Sequence, residues 1–374
     1  MKFMRLPFPV YIIIAFTGFF IRDVQAVQIN HESGKTVTIG LLLQNNKSTS
    51  ARHGAEMAIR KANEEGGPDG IPFKLVELTM EGPWGTGSKQ AVNLIFDENV
   101  VAILGSNDGR NAHLIEQVSA KTRVVYLSAW SGDPTLAQAF VPWYFSCVPN
   151  DLQQADVLNE EICIKEKINK IALVSDNDYD SKLALGSFLK KAKISGIPDP
   201  KQFFYDNSNP DINLLTDQLI NADINAIILF GQPAASLKIM NQIRLKKISI
   251  PVFGSLSVMG EREFEEHEWK SYDNAILISS GQWFNSNGMN FIREFQISWG
   301  YKPGPVAAYA YDGMNLIIKA IKNAGTSREQ IQKYFKEVNY NGVTGTIRFD
   351  ERGNRIGEVG LMRIKNGIPV KVEK

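Results

Sequence analysis

From Thr36 onward the chain alternates short apolar runs with amphipathic ones, and this rhythm limits the folds open to it more than any other feature. Strands are expected over residues 37–43, 74–79, 100–104, 124–127, 171–174, 226–230, 252–253 and 275–278. Helical patterns fill most of the gaps. In the first, Ala55, Ala58, Ile59 and Ala62 follow the i, i+3, i+4, i+7 spacing of one buried face, and Gly66-Gly67 stops it. Ser88 is the expected cap of the second, with Ala91, Val92 and Ile95 inward; Asp151 is the expected cap of another, with Ala155, Leu158 and Ile162 on one face. Repeated strand–helix units imply an α/β protein with parallel sheets covered by helices on both sides.

The rhythm pauses over residues 141–151, where a strand leads into a loop, and then restarts with a full second set. After residue 278 come helical patterns at 289–299, 306–324 and 327–338. A β-rich tail follows, with strands at 346–349 and 359–364 and an Asn366-Gly367 hairpin turn. With 374 residues, the chain has room for two domains of ordinary size, each with its own core. Two α/β lobes with a C-terminal return are expected.

In such a protein the turns after the strands are where a small ligand is held. Gly105-Ser-Asn-Asp-Gly109 is one of these turns, ending an apolar run and opening a helix with Leu114, Ile115 and Val118 on one face. A helix N-terminus of this kind suits an anion. Elsewhere the sequence offers little chemistry. Only four histidines occur, and His31, His53, His113 and His267 have no metal-ligand spacing. There is no nucleophile elbow, phosphate loop or dinucleotide fingerprint. Asp176, Asp178 and Asp180 alternate as in a calcium loop but lack its glycine and terminal glutamate, so they read as a solvated acidic loop. No cofactor, metal or catalytic group is expected.

Lys2 and Arg5 precede an apolar run of about 14 residues, too short for the roughly 20 of a spanning helix, and Val24-Gln-Ala26 follows with small residues for cleavage. Residues 1–26 are therefore read as a secretory signal, with an uncleaved anchor as the alternative. Their removal takes away three cations (Lys2, Arg5, Arg22) and one anion (Asp23), so the formal charge goes from +1 to −1. A nucleic-acid partner is not expected from such a balance. The basic clusters at 190–193 and 244–247 fall at expected helix C-termini, where cations favour the dipole. Cys147 and Cys163 are read as two buried free thiols, with a bridge between them left open.

Gly54-Ala-Glu-Met-Ala-Ile-Arg-Lys-Ala-Asn-Glu-Glu-Gly-Gly67 resembles the first helix of extracytoplasmic solute-binding proteins of the leucine/isoleucine/valine-binding type. Lys89-Gln-Ala-Val92, residues 100–134, Ala310-Tyr-Asp-Gly313 and Thr344-Gly-Thr-Ile-Arg-Phe-Asp-Glu-Arg-Gly353 fall in that family's order and spacing. The resemblance covers nearly the whole chain after the signal. It implies the type I periplasmic-binding-protein fold: two Rossmann-like lobes joined by three crossover segments, closing on a ligand by hinge motion. The crossovers are expected near 147–150, 279–282 and 343. Residues 35–147 plus 282–342 would form one lobe, and 148–281 plus 343–374 the other. The resemblance also implies an importer permease as partner, a monomeric receptor and an extracytoplasmic location.

In the amino-acid-binding members the turn after the third strand holds the ligand's α-carboxylate with a hydroxyl and backbone N–H groups, and a loop after the next strand adds a second hydroxyl. By resemblance these positions fall on Gly109 and on Gly132, in Ala129-Trp-Ser-Gly132, so both hydroxyls are missing. Trp130 stands where a small residue is usual. A family tyrosine matches Tyr179 and another falls on Gln232, while the acid that receives the α-ammonium falls on Leu256. Loss of one charge-assisted hydrogen bond costs about 1.5–3 kcal/mol, or about ten- to a hundredfold in affinity. The expected ligand-binding set is Trp84, Asn107, Asp108, Gly109, Trp130, Ser131, Gly132, Tyr179, Gln232, Leu256 and Tyr309. It points to an aromatic or amide-bearing compound rather than a branched-chain amino acid or a cation. Packing in the fold is the competing reading for Trp84 and Tyr309, and an ion pair with Arg110 for Asp108.

A sensing module of the same fold that signals to a partner is the main alternative, and an enzyme on this scaffold a second. The processed chain is expected to begin near Val27, because Ala26 ends the cleavage pattern. N-terminal sequencing of exported material checks this; Met1 retained in a membrane fraction would refute it.

Overall fold

In the computed structural model, which describes residues 35–373, the expected rhythm becomes two large separate sheets, with a third, small antiparallel sheet near the C-terminus. The signal at 1–26, its cleavage site and His31 lie outside the described residues.

The first half runs β1 (Val37–Leu43), α1 (Thr49–Glu64), β2 (Phe73–Thr79), α2 (Thr86–Phe96), β3 (Ala102–Ser106), α3 (Gly109–Thr122), β4 (Val125–Ser128) and β5 (Tyr144–Ser146). These strands form an all-parallel sheet in the order β2-β1-β3-β4-β5. The second half runs α4 (Asp151–Asn159), β6 (Ile171–Asp176), α5 (Tyr179–Ile194), β7 (Lys201–Tyr205), α6 (Ile212–Ile220), β8 (Ala226–Leu229), α7 (Pro233–Leu245), β9 (Val252–Gly254), α8 (Glu266–Ser271) and β10 (Ile276–Ser279). Three helices follow, α9 (Ser286–Trp299), α10 (Pro305–Ala324) and α11 (Arg328–Glu337). The tail then forms β11 (Tyr340–Gly342), β12 (Gly345–Phe349), β13 (Arg355–Ile356), β14 (Gly360–Lys365) and β15 (Ile368–Lys371). The second sheet has the order β15-β14-β10-β9-β8-β6-β7, parallel except for β14 and β15. Among the described residues no helix is long and apolar enough to cross a membrane.

Burial explains why these segments adopt these states. β1, β3 and β4 are buried along nearly their whole length, as continuous apolar runs sandwiched by helices must be. The face of α1 defined by Ala55, Ala58, Ile59 and Ala62 is inward, and Gly66 and Gly67, at φ 96° and 67°, end the helix in a conformation that favours glycine. Small residues on that face let α10 come close: a Cβ on Gly54 would lie 2.4 Å from the Ala307 carbonyl oxygen.

Several local expectations are corrected. α2 begins at Thr86 after Gly85, without a side-chain cap, so Ser88 is already inside the helix; Val92 is exposed and Leu94 takes the inward place. α4 is capped by Asn150 in a reciprocal capping box with Gln153, which leaves Asp151 as its first residue with its carboxylate free for other use. β7 was not foreseen because it is the sheet's edge strand and buries little beyond Tyr205. Cys147 and Cys163 are both buried free thiols, as expected. The Asn366-Gly367 turn forms with both residues at positive φ, the geometry of a two-residue hairpin.

The chain passes between the two sheets three times, after β5, after β10 and before β14. The last of these runs between α11 and β14 through the small antiparallel sheet β11-β12-β13. Phe349 packs on Phe145 and Phe335, with ring centroids 5.1 and 5.9 Å away. The Ser146 N–H also donates to the Gly353 carbonyl at 2.9 Å. Residues 345–356 therefore stay with the first sheet's side, and only β14 and β15 close the second sheet.

Because backbone blocks the space beside Gly54, the Gly54→Ala variant should lose about 1–3 kcal/mol of stability. Gly186, within α5 and with open space beside it, should give the opposite sign, a gain of about 0.5–1 kcal/mol as alanine. Urea unfolding of the two variants measures both effects.

Candidate functional site

The C-terminal ends of the parallel strands in the two sheets face each other, and the turns that leave them meet in a small cavity of about 60 Å³. From the first sheet's side, the turn after β4 brings Trp130, Ser131 and Gly132. From the second, α4 brings Asp151 and Gln154, the start of α5 brings Asp180 and Ser181, and the turns after β8 and β9 bring Gln232 and Ser255–Ser257. Such a crevice outside the carboxyl ends of parallel strands is the usual ligand position in open α/β sheets.

Of the residues expected from sequence, Trp130, Ser131, Gly132, Gln232 and Leu256 line this cavity. Gly109 and Tyr179 lie beside it and link the two sides. The Gly109 N–H donates to Asp180 Oδ1 at 3.0 Å, and the Tyr179 hydroxyl donates to Asp133 Oδ2 at 3.0 Å. The Arg110 guanidinium lies 5.7 Å from the centre of the Tyr179 ring. Asp108 is neither paired with Arg110 in a hydrogen bond nor turned to the cavity; its carboxylate caps α3 by accepting from the Asn111 N–H at 2.8 Å. Asn107 is fully buried beneath, accepting from the Tyr126 hydroxyl at 3.2 Å.

Trp84 and Tyr309 are not brought to the cavity. Trp84 is 76% exposed at the surface. Tyr309 is 1% exposed, held in α10 with the Arg355 guanidinium 5.8 Å from its ring centre. It borders a separate hollow of about 420 Å³ beside the inter-sheet passages.

The acidic residues are the largest departure from the sequence reading. Asp176 is fully buried rather than solvated, accepting the N–H groups of Asp178 at 3.0 Å and Gln232 at 3.1 Å. It thereby fixes the turns on which Tyr179 and Gln232 sit. Asp180 and Asp151 face the cavity. Burial pushes the Asp180 carboxyl up to about 7; the Gly109 N–H and Arg110 pull it down, while Asp108 and Asp133 push it further up. Burial holds Asp151 well above the usual carboxylate range, with Asp180 and Asp133 adding to it. Asp133 goes the other way: burial raises it, but hydrogen bonds from His113 and Thr135 outweigh that and leave it lowered.

Gly109 and Gly132 now have a physical reason. A Cβ on Gly109 would lie 2.8 Å from Asp180 Oδ1, and one on Gly132 would lie 2.5 Å from Asp151 Oδ1. The places where the amino-acid-binding relatives are expected to carry hydroxyls are filled by this chain's own carboxylates. Sequence reasoning missed Asp151, Gln154, Asp180 and Ser181. The available signal was their position in the first turns of α4 and α5, directly after the segments that lead to the facing strand ends.

Two parallel sheets with facing strand ends, joined by three passages and lining one cavity from both sides, define a two-lobed ligand-binding receptor of the type I periplasmic-binding-protein fold. The sequence model described as periplasmic binding protein matches residues 42–368, and the chain belongs to that family. Among solved structures, the branched-chain amino acid transporter substrate-binding protein LivJ from Streptococcus pneumoniae, in complex with isoleucine, is 22% identical, covers 90% of this chain and 100% of its own, and has a TM-score of 0.76. The leucine-binding protein LivK from Thermotoga maritima is 19% identical over 90% of this chain and 98% of its own, with a TM-score of 0.76. A solute-binding protein of an ABC transporter from R. palustris, in complex with benzoate, is 14% identical over 90% and 96%, with a TM-score of 0.79. At these identities the likeness is one of fold.

The His113 Nε2–H donates to Asp133 Oδ2 at 3.1 Å, and Nδ1 lies 3.4 Å from Glu116 Oε2. The hydrogen bond to Asp133, then that to Glu116, raise it from 6.5 to about 9. Because the folded value is above the ordinary one, its stabilisation is fully present below pH 6.5 and is lost as pH rises through about 9. Urea midpoints should therefore fall between pH 6.5 and 9.5, and His113→Gln, which cannot titrate, should flatten that fall.

Proposed function

We propose that this chain is the extracytoplasmic receptor of an ABC importer, exported by the signal at residues 1–26. It captures a small organic ligand between two lobes and presents it to the permease. Residues 35–147 with 282–342 form one lobe, joined by the strands at 345–356. The other comprises residues 148–281 with β14 and β15. The observation that carries this reading is the cavity at the facing strand ends, lined from both sides and bridged by Gly109–Asp180 and Tyr179–Asp133. Bonds across such a cleft form only in the closed state, so closing and opening about the three passages is how ligand enters and leaves. At about 60 Å³ the closed cavity holds only a few waters, and the lobes must part to admit an organic molecule.

The receptor works as a monomer, without cofactor, metal or turnover, and has no nucleic-acid partner. A flat or amide-bearing part of the ligand fits against Trp130, with Gln154 and Gln232 as hydrogen-bond partners. Leucine, isoleucine and valine are poor ligands, because Leu256 offers no charge where the relatives' ammonium-binding acid is expected.

A compound that co-purifies with the protein, identified by mass spectrometry and titrated back by calorimetry, is the test. At about a hundred times its dissociation constant it should add about 2.7 kcal/mol of apparent stability. Small-angle scattering should show compaction on its addition. An unchanged radius of gyration at saturation, or micromolar binding of leucine, would count against the reading.

A further inference from the structure

We infer that Asp151 and Asp180 make this cleft selective for an organic cation and close it to carboxylates. The inference rests on the reading of the cavity as the ligand site and names the class of ligand it takes.

Three observations carry it. First, the N-terminus of α3, where an anionic ligand group would dock, is already filled: the Gly109 N–H donates to Asp180 Oδ1 at 3.0 Å. Second, Asp151 is 8% exposed, and its carboxylate has only a long 3.4 Å bond from Gln154 Nε2. It lines the cavity pressed against Gly132, where even a methyl group would meet it at 2.5 Å. Third, the Ser181 hydroxyl lines the same cavity, is 2% exposed and has no hydrogen-bond partner. A donor-rich ligand supplies what all three lack. Buried carboxylates need positive charge or hydrogen-bond donors to remain ionised, and Ser181 can accept one more donor. A ligand carboxylate would instead meet two carboxyl groups and no free cation lining the cavity.

The surroundings agree. Arg110, which acts on Asp180, is directed at the Tyr179 ring; Asp108 and Asp133 on the opposite side add negative charge. Asp151 faces Asp133 and Asp180 in turn. Burial holds both carboxyls above their ordinary range, so an entering ammonium group would displace their protons. That release marks direct ion pairing in a way that simple filling of space would not.

The test uses one ring with three head groups: benzylamine, benzamide and benzoate. The full processed chain, refolded free of ligand, is titrated with each at pH 7 in buffers of different ionisation enthalpy. Benzylamine should bind at least about tenfold more tightly than benzamide, with proton release seen as buffer-dependent heat, and benzoate should show no binding up to about 10 mM. Asp151→Asn and Asp180→Asn should each weaken benzylamine about tenfold or more and reduce the proton release. The wild-type ranking stands even if a variant fails to fold. Benzoate or benzamide binding as tightly as benzylamine would overturn the inference while leaving the receptor reading in place. So would benzylamine affinity unchanged in both variants. If benzylamine does not bind at all the inference also falls, and the receptor reading is then decided by the co-purified compound.

Discussion

Two of the three passages between the sheets are tied together by a buried arginine. Arg355 is 5% exposed, and its guanidinium donates to the carbonyls of Cys147 at 2.8 Å, Thr344 at 2.7 Å and Thr346 at 3.2 Å, and to the Thr344 hydroxyl at 3.0 Å. A planar fork with several fixed donors is the one side chain that can tie carbonyls from two separate passages at once. Asp312 completes the knot from α10, accepting the Val343 and Thr344 N–H groups at 2.8 Å each. Asn285 brings in the remaining passage, donating to the carbonyls of Gly281 at 3.0 Å and Val343 at 2.9 Å. These segments are buried, with Val148 1% and Val343 4% exposed. Their register is set by polar bonds that survive burial because every partner is supplied.

With the passages fixed, the geometry of the cleft follows. Each sheet presents the C-terminal ends of its parallel strands, and the first turns of α3, α4 and α5 meet there. Carboxyl groups gather around that space: Asp108, Asp133, Asp151, Asp178 and Asp180 come from turns scattered along the sequence. The structure offsets part of this crowding through His113 beside Asp133 and through the Gly109 N–H on Asp180. Asp151 keeps the least compensation, and it is the residue most exposed to the chemistry of whatever enters.

Most of the fold was legible in the sequence because burial writes itself as periodicity. The strands sandwiched between helices read as continuous apolar runs, and the small-residue face of α1 marked a close helix contact. Local errors fell where that signal is absent. β7 is an edge strand with little to bury, and residues 345–356 return to the first sheet's side through Phe349, a contact made with residues more than two hundred positions earlier. The caps at Ser88 and Asp151 were misplaced because Gly85 and Asn150 begin those helices instead.

The sequence alone determined the α/β class, the family and the turns at which a ligand would be sought, since these depend on residue type at short range. The resemblance also set the expectation that the hydroxyls and the acid of an amino-acid site are missing at Gly109, Gly132 and Leu256. What replaces them was decided only in three dimensions. Asp151 and Asp180 lie 19 and 48 positions from Gly132 in the chain, and neither spacing carries information about contact. Packing of α4 and α5 against the facing turns sets the carboxylates on those glycines, because only there does the absence of a side chain leave room for them. Long-range proximity of this kind is a property of how the sheets are joined, and no local pattern records it.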